Sequence, residues 1–206
     1  MPWKISGLYV IHIKKNPRIY VVLTLIFLVG LIIGGISVAG LSPNSKEELT
    51  DYIKGFMKIF DIKKVDNWTL FKVSLCSEYK MMFLILVLGV SIIGIPVIFL
   101  IILFRGFMTG FTLGIILSAM GKAGIVSILS IVILKEMFLI PIVLALAANG
   151  ILFSTDIIKS CSGKKIKLDS IKKKLFIYSI FAFVQLMMVL FPVVLEAVFL
   201  PVFIKF

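Results

Sequence analysis

The sequence predicts an all-α, polytopic integral membrane protein, a helical bundle of about five transmembrane helices with one amphipathic helix outside it. Three observations predict this. Of 206 residues, 61% are hydrophobic and 16% charged, where a soluble domain runs about 45–50% and about 25%. The charges are clumped, with 26 of the 32 in residues 1–18, 40–80 and 154–174. Between the clumps lie apolar runs long enough to cross a bilayer, which takes roughly 20 residues at about 1.5 Å each. The composition excludes a soluble globular domain and a disordered basic tail. The net charge of +12 therefore has to be explained by membrane orientation and lipid contact, and no nucleic-acid partner is expected.

Residues 1–18 form a cytoplasmic interfacial segment, in which Trp3 to Ile13 is short, basic and apolar and holds His12, the single histidine. The first span, 19–39, contains no charge. Its apolar run exceeds the roughly 7–15 residues of a signal-peptide core, so a retained helix is expected. Residues 40–80 form an extracytoplasmic loop. Within it Ser45-Lys46-Glu47-Glu48 fits a capping box, which satisfies backbone N–H groups at a helix start and predicts an amphipathic helix over 46–60. Asp66 or Asn67 is the expected cap of a further helix that begins near Trp68 and continues into the second span, 81–104. Pro96 predicts a kink in that span. The third span is 106–120, between Arg105 and Lys122. Residues 125–134 are expected as an outer elbow before a fourth span at 137–153. A basic cytoplasmic loop, 154–174, precedes the last span, 175–204, bent at Pro192 and Pro201.

Lysine and arginine bias sets the orientation. With the N-terminus cytoplasmic, the inner side carries +10 and the outer side +2, and an odd number of spans puts the C-terminus outside. Cys76 then lies near the outer surface and Cys161 in the inner loop, so no disulfide joins them.

Leu49, Tyr52, Ile53, Phe56, Met57 and Phe60 recur at helical spacing along the outer loop. Two readings of this stripe stand: it packs on the outer ends of its own bundle, or it docks an extracytoplasmic partner as an amphipathic helix. Gly106, Gly110, Gly114 and Ser118 repeat every four residues, and Gly30 and Gly34 repeat the spacing on the first span. Small residues in this register let helix backbones approach closely, which serves packing within the chain or association into a homo-oligomer. Gln185 falls near mid-membrane, where its amide is expected to bond a neighbouring helix or a backbone carbonyl. Lys135, Glu136 and Glu196 are expected at the outer boundary, Glu196 lying about 33 Å along its span by rise.

Nothing in the sequence argues for catalysis. A single histidine, far in sequence from either cysteine, leaves no local Cys–His dyad, and HExxH, GxSxG and P-loop motifs are absent. No catalytic residue, metal ligand or cofactor is expected.

The run Leu88-Gly89-Val90-Ser91-Ile92-Ile93-Gly94-Ile95-Pro96-Val97-Ile98-Phe99, with Arg105-Gly106-Phe107-Met108-Thr109-Gly110-Phe111-Thr112-Leu113-Gly114, closely resembles stage II sporulation protein M. The basic N-terminus, the roughly 40-residue outer loop, Leu139-Ile140-Pro141 and Asn149-Gly150 extend the resemblance over the whole chain. A Pro-His-Gly-x-x-Glu motif frequent in the broader family is missing, since the region reads Leu134-Lys135-Glu136-Met137-Phe138-Leu139. The resemblance implies a bacterial cell-membrane subunit, septal or mother-cell, required for engulfment during endospore formation. It also implies two peptidoglycan-degrading partners, stage II sporulation proteins D and P, which such a subunit anchors and localises. A permease subunit of a transporter is the alternative, and it requires a polar cavity at membrane depth.

Overall fold

The computed structural model describes residues 16–62, 67–91, 93–119, 122–161 and 168–204. They form six helices: α1 (Pro17–Ala39), α2 (Pro43–Ile62), α3 (Asn67–Gly89), α4 (Gly94–Ala119), α5 (Lys122–Cys161) and α6 (Leu168–Ile204). Four segments are long and apolar enough to cross a membrane: Pro17–Ala39, Gly94–Ser118, Ile133–Ile158 and Leu175–Val198. Together with the absence of strands among the described residues, they make the chain an all-α polytopic membrane protein. Helix α3 has the length of α1, 23 residues, but carries Lys72, Glu78 and Lys80. The segment Trp3 to Ile13, with His12, lies outside the described residues.

Contacts fix the directions of five helices. The glycine faces of α1 and α4 meet with residue numbers rising together, so these helices are parallel. Tyr79 and Tyr178 bond the carbonyls of Leu186 and Leu86 respectively, so α3 and α6 are antiparallel. Phe153 stacks on Tyr178 at 4.8 Å and Phe138 meets Phe191 edge-on at 5.2 Å, which makes α5 and α6 antiparallel as well. Hence α1, α4 and α6 run one way and α3 and α5 the other. Helix α2 lies between the end of α1 and the start of α3, packed against α4 and α6.

Helix α5 is the centre of the bundle. Every residue from Ile142 to Ile151 is buried, and Ala145, Ala147, Ala148 and Gly150 keep its surface thin enough for its neighbours to pack closely. Leu23, Met82, Ile85, Ile98, Ile102, Leu139, Leu146 and Val189 complete a fully buried core drawn from five helices. The outward faces are apolar too: Val21, Leu25, Ile32 and Ile36 of α1 and Phe176 and Phe183 of α6 are exposed. A continuous apolar exterior of this kind suits lipid and not water.

Several boundaries differ from expectation, among them the loop expected over 154–174, whose residues 154–161 and 168–174 instead extend α5 and α6. Residues 81–104 are not one kinked span, because the chain turns back between Gly89 and Gly94. Glycines end one helix and begin the next, and Pro96 sits in the first turn of α4, where its missing N–H costs nothing. As a result Arg105 lies inside a helix and not between two spans. The elbow over 125–134 is absent, since α5 is continuous through it. No glycine or proline falls between Ile125 and Ile140 to break it, and the Lys135–Glu136 charges find partners inside the bundle. Helix α2 starts at Pro43, two residues before the expected cap Ser45. Ser42 caps it, receiving the Ser45 N–H at 3.2 Å, and Pro43 holds the first helical position. Lys46 instead donates to the Ala39 carbonyl at 3.1 Å and ties α2 to the end of α1.

Candidate functional site

Five charged side chains converge from four helices. The guanidinium of Arg105 on α4 donates to both carboxylate oxygens of Glu78 on α3, at 2.9 and 3.2 Å. Its Nη2 also donates to Glu136 Oε1 of α5 at 2.9 Å. Lys135 of α5 lies 3.3 Å from Glu78 and 2.8 Å from Glu196 of α6. Side-chain exposure runs from 5% at Glu78 to 22% at Glu196, so the whole cluster is withdrawn from the surface.

The depth of the cluster follows from the glycine packing. A Cβ on Gly106 would collide with the Phe27 carbonyl, and one on Gly110 with the Leu31 carbonyl. Arg105 is therefore level with the middle of α1. Eleven residues separate it from the start of α4, about 16 Å by rise, or half of the roughly 30 Å hydrocarbon thickness. Charges at such depth are costly unless paired, and Arg suits the task because its planar fork matches a carboxylate in two bonds.

Lys135, Glu136 and Glu196, expected at the outer boundary, are 14%, 14% and 22% exposed and paired with groups of the bundle. Lys135 and Glu136 are the third and fourth residues of the segment Ile133–Ile158, and Glu196 lies two residues before the end of Leu175–Val198, as a place near the boundary requires. Glu78 and Arg105 were missed as site residues. Arg105 carried a signal as a single charge between apolar stretches, hidden while 81–104 was read as one helix, whereas Glu78 lies between Lys72 and Lys80 and reads as part of a polar loop. A cavity of about 250 Å³ opens beside the cluster, lined by Glu78, Arg105, Met108, Thr109, Thr112, Lys135, Glu136 and Glu196. Among the described residues no three His, Cys, Asp or Glu side chains are arranged to hold a metal.

The remaining residues singled out from the sequence lie elsewhere. Gly30, Gly34, Gly106 and Gly110 form the α1–α4 contact, where carbonyls of one helix press on glycines of the other; Gly114 meets Val38. That face is filled by α1, so it offers nothing to a second copy. Ser118 is exposed and bonds back to the Gly114 carbonyl at 3.0 Å. Gln185 is 1% exposed, and neither amide atom has a partner among the described residues, contrary to the expected interhelical bond. Leu49 is half-buried and Tyr52 is 75% exposed. The side chains of Ile53, Phe56, Met57 and Phe60 lie outside the described residues. Cys76 is exposed on α3.

Long apolar helices, a lipid-suited exterior and charges paired only within the bundle define a polytopic membrane protein without a soluble domain among the described residues. The chain belongs to the stage II sporulation protein M family, whose model matches residues 23–204, from α1 to the end of α6. It is therefore a sporulation-related membrane protein. No curated protein and no solved structure matches it.

Proposed function

We propose that the protein is a non-catalytic membrane scaffold that anchors and localises peptidoglycan-degrading enzymes at the septum during engulfment. The observation that carries this reading is α2. It is an ordered amphipathic helix pinned at one end of the bundle, and it turns the Tyr52 ring outward at 75% exposure. Lys46 and Ser42 hold its start, so a partner meets a preformed surface and loses little freedom in binding it. The positive-inside count puts this end outside the cell, with the N-terminus cytoplasmic and the C-terminus outside. The partners are stage II sporulation proteins D and P, as the family resemblance implies, with membrane lipid around the spans. Replacing Tyr52 with Asp, alone and together with Phe56→Asp and Phe60→Asp, tests it. The expected result is loss of co-purification of the two partners from sporulating cells, with membrane insertion unchanged. Undiminished co-purification of the triple variant overturns the reading.

One observation favours a permease subunit instead: the charged cavity between the helices. Against it, the bundle beyond the cluster is filled by Met82, Ile85, Leu146 and Val189, each 0% exposed. A scaffold needs such a closed core, and a permeation path does not pass through one.

A further inference from the structure

The charge cluster does not balance. Glu78, Glu136 and Glu196 bring three negative charges to a site where Arg105 and Lys135 bring two positive ones. These are the ionisable groups that α3, α4, α5 and α6 present to the cavity, and α1 and α2 contribute none to its lining. An unmatched charge so far withdrawn from water is strongly disfavoured, and a carboxylate in that position takes up a proton.

The geometry also says which carboxylate. Both oxygens of Glu78 are engaged, Oε1 by Arg105 and Lys135 and Oε2 by Arg105. Glu196 Oε2 is likewise buried without a hydrogen-bond partner, but it lies 2.8 Å from the Lys135 ammonium, whose charge holds it ionised, and Glu196 is the most exposed of the three. Glu136 accepts from Arg105 through Oε1 only; its Oε2 is buried and has no partner among the described residues. Thr112, two turns beyond Arg105 toward the α2 end, is exposed and lines the same cavity. About 250 Å³ holds several waters at roughly 30 Å³ each, enough to carry a proton between that end and the carboxylate. The three carboxylates do not converge as metal ligands, and a proton needs only one of them.

We propose that the cluster is a proton-binding site, with one exchangeable proton held on Glu136 Oε2 and delivered through the cavity that opens at Thr112. Hydronium gives its proton to the carboxylate, leaving water and a carboxylic acid, and the cluster becomes neutral. Because its members come from four helices, loading and unloading this proton acts on the packing of the whole bundle. The site goes beyond scaffolding and stands or falls independently of it.

Infrared difference spectra of the full-length protein in phosphatidylcholine nanodiscs, recorded between neutral and alkaline pH, test the proposal. The wild type is expected to show the carbonyl band of one carboxylic acid per chain at neutral pH, converting to carboxylate bands at alkaline pH. Glu136→Gln removes the surplus negative charge and is expected to abolish the band, whereas Glu47→Gln on exposed α2 leaves it unchanged. Lys135→Gln adds one unmatched negative charge and is expected to double it. Absence of the band in the wild type overturns the proposal without reference to any variant. So does its persistence in Glu136→Gln, or its loss when sodium replaces choline, which would identify the bound charge as an alkali cation.

Discussion

Arg105 grips Glu78 through two parallel hydrogen bonds, at 2.9 and 3.2 Å, across a hairpin that turns between Gly89 and Gly94. Both residues lie eleven positions from that turn, so the pairing is a direct consequence of where the chain reverses. Lys135 and Glu136, adjacent in α5, then extend the pair in two directions, one toward Glu196 and the other toward Arg105.

The α1–α4 contact depends on the absence of side chains. Gly30→Ala and Gly110→Ala each drive a methyl group into a backbone carbonyl of the facing helix, so each is expected to destabilise by about 1–3 kcal/mol through overpacking. Gly35→Ala has its nearest neighbour at 3.9 Å and is expected to be tolerated. Gly55→Ala on α2 meets nothing within 4 Å and is expected to stabilise by about 0.5–1 kcal/mol through helix propensity. Thermal unfolding of the four purified variants in detergent ranks them.

Helix α3 ends inside the bundle, and its last carbonyls need donors there. The Ser154 hydroxyl lies 2.6 Å from the Gly89 carbonyl and 2.9 Å from that of Ser91, and Tyr178 donates to Leu86 at 2.8 Å. Ser154→Ala leaves two carbonyls without that donor and is expected to cost about 1–3 kcal/mol, with Tyr178→Phe nearer 1 kcal/mol. Hydrogen exchange at the hairpin amides is expected to quicken in Ser154→Ala.

Gln185 points the other way. It is buried with neither amide atom bonded, so Gln185→Leu is expected to raise stability by about 1–3 kcal/mol by removing an unsatisfied polar group. A fall in the unfolding temperature of that variant would show that the amide has a partner in the membrane.

The all-α membrane class was legible in the sequence because spanning segments must be long and apolar, and Ile19 to Ala39 shows this without ambiguity. The glycine register on α4 was legible as well, since small residues every four positions mark one helix face. The charge cluster was not. Its members are spread from Glu78 to Glu196, and only tertiary packing brings them together. The run Met81 to Phe104 reads as one apolar helix because no charge, and only Ser91 among polar residues, marks the turn at its centre. Charge pairing across the hairpin also explains why α5 continues through Lys135-Glu136, a dipeptide that reads as an interruption in isolation.

The pairing at membrane depth is tested most directly by stability measurements on Arg105→Met, Glu78→Gln and the double variant. Arg105→Met strands Glu78 and Glu136 near one another and is expected to cost about 3–5 kcal/mol. Adding Glu78→Gln removes one of the stranded charges, so the double variant is expected to be more stable than Arg105→Met alone by at least about 1 kcal/mol. If Arg105→Met is near neutral, or if the second substitution only adds to the loss, the two side chains do not pair inside the bundle.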